Sequence, residues 1–240
     1  MLVKNNLLNY KDKYIFQDTR YFKMSLDSLL LSQFVTINLR DKRILDIATG
    51  NAPIPMFLTF RTKAHIYGVE LQEDIYLLGK KSIEENKMEN QITIIHDDAK
   101  NLSNVFESDF FDVITCNPPY FKTTNENFEN NNGIKAIARH EKTLELEDVF
   151  RIGKYLLKNN GKLAIVHRTE RIMEILDTMK KYNFELKKIR FVYPNMNKNS
   201  DLVLLECVKN GKSGLRMLPP LFVYKENGVY SDEVEAMFGE

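Results

Sequence analysis

One stretch ends a buried strand so abruptly that it constrains how the surrounding sheet is built. The run Phe111–Cys116 is apolar and β-branched, which is typical of a central strand. Asn117 follows, and then prolines 118 and 119, which cannot donate the hydrogen bonds that would continue a sheet. We therefore expect the strand to end at Asn117 and the chain to leave the sheet in a stiff turn. Open α/β sheets bind their ligands at this carboxyl edge of the strands.

The groups at this turn suit the recognition of a flat primary amine. The Asn117 amide oxygen and the Pro118 carbonyl can each accept one hydrogen of the same NH2 group. The Tyr120 ring can stack on the plane that carries the amine. A flipped adenine has these properties, as does any planar amide or amidine. The alternative is that Asn117 only caps the strand and Tyr120 packs on the surface, because Asn-Pro is a common turn signal.

The order of strands and helices predicts an α/β fold with a seven-stranded, Rossmann-like sheet. Strands alternate with helices along most of the chain, and such alternation builds a parallel sheet with helices on both faces. The last two strands follow each other directly, so we expect an antiparallel hairpin at the end, with an antiparallel last strand. The predicted strands cover residues 43–48, 65–70, 92–96, 111–116, 161–166, 186–193 and 202–208.

The length of 240 residues fits one large domain with small additions. We divide it into an amino-terminal basic and aromatic extension with a capping helix (1–40), a core (41–210) and a carboxyl-terminal tail (211–240). No apolar run reaches the length of a membrane span, and the first residues lack the apolar block of a signal peptide. These features predict a cytoplasmic protein without a membrane partner. The two cysteines have no metal-ligand spacing, so we expect no metal site.

Two segments, 1–43 and 187–216, hold more lysine and arginine than acid on a chain whose formal net charge is only +1. In the first segment aromatic residues alternate with the charges, a mixture that suits contacts with phosphates and bases. If both segments border the edge at Tyr120, they form a phosphate-binding surface. The alternative is that they are solvated edges of the sheet.

A second stretch has the features of a cradle for an adenosine-containing cofactor. The predicted strand 43–48 runs into Thr49-Gly50-Asn51-Ala52, and the prolines at 53 and 55 suit the first turn of a helix. The next strand ends in Glu70, whose carboxylate can accept both hydroxyls of a ribose. An ordinary strand-to-helix turn and a surface acid are the alternatives.

These pieces resemble the amino-group methyltransferases that use S-adenosylmethionine, which include adenine-N6, guanine-N2 and glutamine-N5 enzymes. The resemblance rests on Asn117-Pro118-Pro119-Tyr120 and on residues 46–52, where the family carries Asp-x-Gly-x-Gly-x-Gly. This chain keeps only the middle glycine, Gly50, and has alanine at positions 48 and 52. We expect cofactor binding to persist in a weaker form. The resemblance implies the class I methyltransferase fold and S-adenosylmethionine as the cofactor.

A closer resemblance is to the bacterial tRNA(Val) adenine-N6 methyltransferases that act at position 37, beside the anticodon. The matching pieces span most of the chain, and their order and spacing together are more specific than any single piece. They are Phe16-Gln17 with Phe22, Ser25-x-Asp27-Ser28-x-Leu30-Leu31, Leu45–Asn51, Asn117–Tyr120, Ala138–Glu141, Val166–Arg168 and Leu215-x-x-Leu218-Pro219-Pro220-Leu221.

The resemblance implies a role for each site residue and tRNA as the partner of a monomeric enzyme. Asn117, Pro118 and Tyr120 form the catalytic site that holds the adenine amine. The cofactor-binding residues that it implies are Ser25, Asp46, Ala48, Gly50, Glu70, Leu71, Asp98, Ala99 and Asn117. The substrate-binding residues that it implies are Phe22, Tyr120, Phe121, Arg139, His140 and Lys198.

Two other functions remain open at this point. A protein glutamine-N5 methyltransferase acts on the same kind of NH2 group, but those enzymes usually carry a helical domain ahead of the core. Here the first central strand already begins at Arg43. The second alternative is a non-catalytic RNA-binding module with the same fold. The reason to consider it is that alanine replaces the glycines of the family at positions 48 and 52.

Overall fold

The computed structural model describes residues 1–21, 24–118 and 144–239. Within these residues nine strands form one mixed sheet, and two more form a separate amino-terminal hairpin. The strands are β1 (Leu2–Asn6), β2 (Tyr14–Asp18), β3 (Arg43–Ile47), β4 (His65–Glu70), β5 (Ile92–His96), β6 (Phe111–Cys116), β7 (Leu157–Arg168), β8 (Phe184–Tyr193), β9 (Leu202–Lys209), β10 (Arg216–Met217) and β11 (Leu221–Phe222). The helices are α1 (Leu26–Phe34), α2 (Pro53–Thr59), α3 (Glu73–Glu85), α4 (Leu146–Leu156), α5 (Ile172–Lys181) and α6 (Asp232–Glu235). No helix in this part of the chain is both long and apolar enough to cross a lipid bilayer.

The strand order of the sheet is β10-β8-β9-β7-β6-β3-β4-β5, with β11 also paired to β8. β9 runs antiparallel to both of its neighbours, β7 and β8. The neighbouring pairs from β7 to β5 are all parallel. The α/β class and the antiparallel strand are therefore confirmed, and β9 lies between β7 and β8.

The predicted count of seven strands is wrong, because β10 and β11 add to the main sheet. Both pair in parallel with β8, which would otherwise present an unpaired edge. Each is only two residues long, and Pro219 and Pro220 separate them. Such short, proline-interrupted pieces carry no alternating pattern from which a strand can be predicted.

Both faces of the sheet are buried, which explains why its strands read as nearly continuous apolar runs. Successive residues of β3 point to opposite faces: Ile44 belongs to one core and Leu45 to the other. The first core includes buried residues of α1 and α2, and the second includes those of α4 and α5. The sheet is thus held rigidly between helices, and its strand ends are fixed in position.

The amino-terminal hairpin of β1 and β2 is bound to α3 by side chain to backbone hydrogen bonds. The Phe16 amide donates to Ser82 Oγ at 2.9 Å, and the Tyr14 amide donates to Asn86 Oδ1 at 2.8 Å. Asn51, in the loop after β3, donates from Nδ2 to the Phe16 carbonyl at 2.8 Å. The hairpin is therefore connected to the loop that the sequence assigns to the cofactor.

The carboxyl end of α1 is held by two cations, the buried Lys188 and the more exposed Arg61. Lys188 Nζ donates to the Phe34 carbonyl and to Thr36 Oγ1, each at 2.6 Å. Arg61 binds two further carbonyls near the same turn. Glu206 Oε2 accepts from the Thr36 amide at 2.6 Å and lies 3.3 Å from Lys188 Nζ. These groups satisfy carbonyls that a helix end leaves without partners, so they fix the position of α1.

We predict that Lys188→Met lowers the free energy of unfolding by about 3 kcal/mol, because it leaves the Glu206 carboxylate buried without its cation. Urea denaturation measures the difference. The matched control is Lys181→Met, whose pair with Glu147 has side chains 61% and 51% exposed and should leave stability almost unchanged. Equal losses in the two variants would contradict the assigned role of the buried pair.

Candidate active site

The carboxyl ends of four parallel strands bring the predicted cofactor residues to one edge of the sheet. These strands are neighbours in the order β6-β3-β4-β5. Asp46, Ala48 and Gly50 lie at or after the end of β3, Glu70 and Leu71 at the end of β4, Asp98 and Ala99 after β5, and Asn117 and Pro118 after β6.

Three residues of the loop after β3 lie in the left-handed backbone region. They occupy the positions where the amino-group methyltransferases carry glycine. Their φ angles are 55° at Ala48, 61° at Gly50 and 67° at Ala52. The two alanines thus adopt the conformation that glycine would favour, at a cost of about 1–2 kcal/mol each. A Cβ placed on Gly50 would meet no described atom within 4 Å, so a ligand can approach the backbone there.

Glu70 joins the end of β4 to this loop. Its Oε2 accepts from the Gly50 amide and its Oε1 from the Gln72 amide, both at 2.9 Å. Burial raises the pKa of the Glu70 carboxyl, and these N–H groups lower it in part. Each carboxylate oxygen has a second lone pair, so Glu70 can still accept the hydroxyls of a ribose.

Asp46 is buried beneath the same loop. Its Oδ1 accepts from Thr115 Oγ1 at 2.6 Å, whereas its Oδ2 and the Thr49 hydroxyl have no hydrogen-bond partner among the described residues. Burial raises the pKa of Asp46 to about 7, although the nearby hydroxyls of Thr115 and Thr49 oppose the shift. An approaching cationic group would favour ionisation of this carboxyl. The open side of Gly50 and the adjacent Glu70 carboxylate fit an adenosine-containing cofactor.

Asp98 and Ala99 begin the short helical turn Ala99–Asn104 after β5. Asp98 Oδ1 caps this turn by accepting from the Lys100 amide at 2.9 Å. The adjacent Asp97 Oδ1 accepts from the Asp98 amide at 2.7 Å. His96 Nε2 is hydrogen-bonded to the Leu71 carbonyl at 3.1 Å, a structural role for this histidine. The described residues contain no cluster of His, Cys, Asp and Glu that could hold a metal ion.

Asn117 leaves β6 next to helix α1. Its Nδ2 donates to Ser28 Oγ at 3.2 Å, and Ser28 is only 5% exposed. Pro118 is buried, and Ser25 caps α1 with an extended backbone. The sequence assigned no role to Ser28, although a serine among the leucines of a buried helix is a signal that could have indicated one.

Lys198 lies at the same edge of the sheet, in the loop between β8 and β9, and is exposed. This loop is joined to the end of β7 by the hydroxyls of Thr169 and Ser200, which are 3.0 Å apart. The other five predicted substrate residues stay predictions, because they lie outside the described residues. They are Phe22, Tyr120, Phe121, Arg139 and His140.

The basic segment 187–216 does not form one surface at the Asn117 edge. β9 runs toward the opposite edge and ends at Lys209, which pairs with Asp109 ahead of β6 at 2.8 Å. Lys188, near the start of β8, is buried against Glu206. Within the described residues, this segment therefore places Lys198 at the edge of the sheet that holds the candidate site and its other lysines largely at the far edge.

These features define the class I methyltransferase fold. They are the strand order of the main sheet, its antiparallel strand β9, and a loop that follows Asp46 in β3 and contacts Glu70 at the end of β4. A model of the methyltransferase-domain family matches residues 38–219. The tRNA1(Val) (adenine(37)-N6)-methyltransferase of Histophilus somni is 31% identical over 170 residues, or 69% of each chain. The chain therefore belongs to the methyltransferase-domain family and to the family of this relative.

Another relative extends the similarity over nearly the whole chain. The tRNA1(Val) (adenine(37)-N6)-methyltransferase of Flavobacterium psychrophilum is 24% identical over 235 residues, covering 96% of this chain and 97% of its own.

Two solved structures share the fold. One is described as a predicted O-methyltransferase of Agrobacterium tumefaciens, with a TM-score of 0.70 and 18% identity over 88% of this chain and 95% of its own. The other is TrmK of M. capricolum in complex with S-adenosyl-homocysteine, with a TM-score of 0.54 and 17% identity over 79% of this chain and 70% of its own.

We predict that Ala48→Gly raises the free energy of unfolding by about 1 kcal/mol, because glycine adopts this left-handed conformation without strain from a Cβ atom. Chemical denaturation measures the gain. The control is Ala164→Gly in β7, where glycine should lower stability by about 1 kcal/mol. Destabilisation by Ala48→Gly would show that the methyl group contributes packing that outweighs the strain.

Asp46→Asn should remove a pH dependence of stability. The folded pKa of about 7 exceeds the ordinary 3.8, so the folded state holds this proton more tightly than the unfolded chain between these values. The free energy of unfolding of the wild type therefore falls as pH rises through this window, by up to about 1.4 kcal/mol per pH unit. Urea denaturation at pH 5 and pH 8 should find the variant more stable than the wild type at pH 8.

Asp112→Asn is the control of opposite sign. Burial raises the pKa of Asp112, but Lys158 and two backbone amides outweigh it and hold the pKa below its usual range. A carboxyl with a lowered pKa contributes stability above its ordinary value, so this variant should be less stable than the wild type at pH 8. The same loss in Asp46→Asn would contradict the raised pKa.

Proposed function

We propose that this protein transfers a methyl group from S-adenosylmethionine to the N6 amine of an adenosine in tRNA, at position 37 beside the anticodon of tRNA(Val). One observation carries the proposal. β3 and β6 are paired with Ile47 opposite Cys116, so the cofactor loop and Asn117-Pro118 leave the sheet side by side. The names of the relatives from Histophilus somni and Flavobacterium psychrophilum support the same reaction and substrate.

The residues around Gly50 would hold the cofactor. Glu70 presents carboxylate oxygens to the ribose, and Asp98 with Ala99 forms the adenine side of the cradle. When bound, S-adenosylmethionine supplies an electrophilic methyl group. Ala48 and Ala52 adopt the left-handed backbone conformation that glycine favours, so the loop keeps its shape. The two alanines are therefore no reason to prefer a non-catalytic module.

Asn117, Pro118 and Tyr120 would orient the target amine. The amide oxygen of Asn117 and the carbonyl of Pro118 accept its two hydrogens, which localises the nitrogen lone pair that otherwise delocalises into the ring. Tyr120 stacks on the base. An adenine in a loop leaves its stack at less cost than one in a duplex, and most of the rate enhancement comes from positioning.

The charges around the edge favour an approach of tRNA from the side of β7 and β9. Acids surround the cofactor side, at Glu73 and Asp74 in the first turn of α3 and at Asp97 after β5. They repel phosphates. Lys198 and Arg168 lie on the other side. We assign Lys198 to phosphate contact, together with Phe22, Phe121, Arg139 and His140 as further substrate contacts of a monomeric enzyme.

Incubation of the protein with labelled S-adenosylmethionine and unmodified tRNA tests the function. Nucleoside mass spectrometry should find N6-methyladenosine in tRNA(Val). Asn117→Ala should lower turnover at least about a hundredfold, as the loss of a positioned polar group does. The control is Asn104→Ala, an exposed asparagine at the end of the turn after β5, which should leave turnover unchanged. Methylation of protein glutamine instead of tRNA, or wild-type turnover in Asn117→Ala, would overturn the proposal.

A further inference from the structure

A hydrogen bond connects the strand end at the candidate site to helix α1. Asn117 Nδ2 donates to Ser28 Oγ across 89 positions of sequence, at 3.2 Å. Ser28 is 5% exposed and lies in α1 between Asp27 and the buried run Leu29–Leu31. A buried hydroxyl costs free energy unless it is hydrogen-bonded, so its presence there calls for a partner.

The chemistry of an asparagine amide makes this contact important. The amide has an acceptor on one branch and donors on the other, and a rotation of the amide by half a turn exchanges them. Acceptance of an amine hydrogen requires the oxygen branch. The Ser28 hydroxyl can accept from the nitrogen branch or donate to the oxygen branch, so the contact holds the plane of the amide. In the structure the nitrogen branch faces Ser28, and the oxygen branch is directed away from it.

The helix that carries Ser28 is fixed at its far end. Lys188 and Arg61 bind carbonyls of its last turn and the residues that follow, and Glu206 accepts from the Thr36 amide. The Ser28 amide donates to the Ser25 carbonyl at 3.2 Å, which fixes the first turn. The hydroxyl is therefore held by a rigid element, as positioning of a reacting group requires.

We propose that Ser28 is a positioning residue of the methyl transfer. Its hydroxyl accepts from Asn117 Nδ2 and so presents Asn117 Oδ1 to the amine of the substrate. The inference rests on the proposed function, because it names what orients the amide that this function uses.

Ser28→Ala should lower kcat about tenfold while the KM for tRNA and the Kd for S-adenosylmethionine stay unchanged, since one orienting hydrogen bond is lost and no binding contact is. The matched control is Ser32→Ala on the same helix. Ser32 is fully buried, but its hydroxyl donates to the Leu29 carbonyl at 2.7 Å. Wild-type kcat is expected there. An equal fall in kcat for the two variants would overturn the proposal in favour of general packing of α1.

A double-mutant cycle tests whether Ser28 acts through Asn117. In the Asn117→Ala background, Ser28→Ala should cause no further loss of kcat. A full tenfold loss there would overturn the proposal. Ser28→Cys, which keeps the size of the side chain with a weak acceptor, should fall between wild type and Ser28→Ala; a kcat below that of Ser28→Ala would also overturn it.

A second measurement separates this inference from the proposed function. The side-chain NH2 of Asn117 can be followed by NMR without any substrate, and its hydrogen exchange should be faster in Ser28→Ala and unchanged in Ser32→Ala. If wild-type protein does not methylate tRNA, the function fails, and the NMR result still decides the contact. Unchanged exchange in Ser28→Ala would overturn the inference.

Discussion

The parallel pairing of β3 with β6 is the constraint on which the candidate site depends. Hydrogen bonds along this pair set Ile47 opposite Cys116, so the two chains leave the sheet at the same level. The segment that follows β3 is the turn at Gly50, and the segment that follows β6 is Asn117-Pro118. A shift of one residue in this register would turn every side chain of one strand to the opposite face of the sheet. The buried residues on both faces, Ile44 and Leu45 among them, prevent such a shift.

The central strands could be predicted because their signal is local. β4, β5 and β6 have the bounds that the apolar runs predict. Prolines follow the carboxyl end of β6 and mark the start of α2. The turn at residues 48–52 was recognised from one glycine. That the alanines at 48 and 52 share its left-handed conformation was not predictable, because propensity alone disfavours alanine there and tertiary structure imposes it.

The rest depends on contacts between distant parts of the chain. Nothing near Ser28 in sequence indicates Asn117, and nothing near Lys188 indicates that it binds the end of α1. β10 and β11 are strands because they pair with the edge of β8. Their own residues carry no pattern that predicts this pairing. The charge count of 187–216 leaves open whether its cations share one surface or lie on separate edges of the sheet. The antiparallel course of β9 divides them between two edges, because direction in the sheet decides where a charge lies.

The amino-terminal hairpin has a consequence for the order of events during synthesis. The backbone amides of Phe16 and Tyr14 donate to Ser82 and Asn86, so β1 and β2 cannot dock until α3 has been synthesised. Helix α1 waits longer, because Lys188 is separated by 154 positions from the carbonyl that it binds. Such non-local closure is slow. In a nascent chain the carboxyl end of α1 therefore lacks its buried cation until β8 has been synthesised.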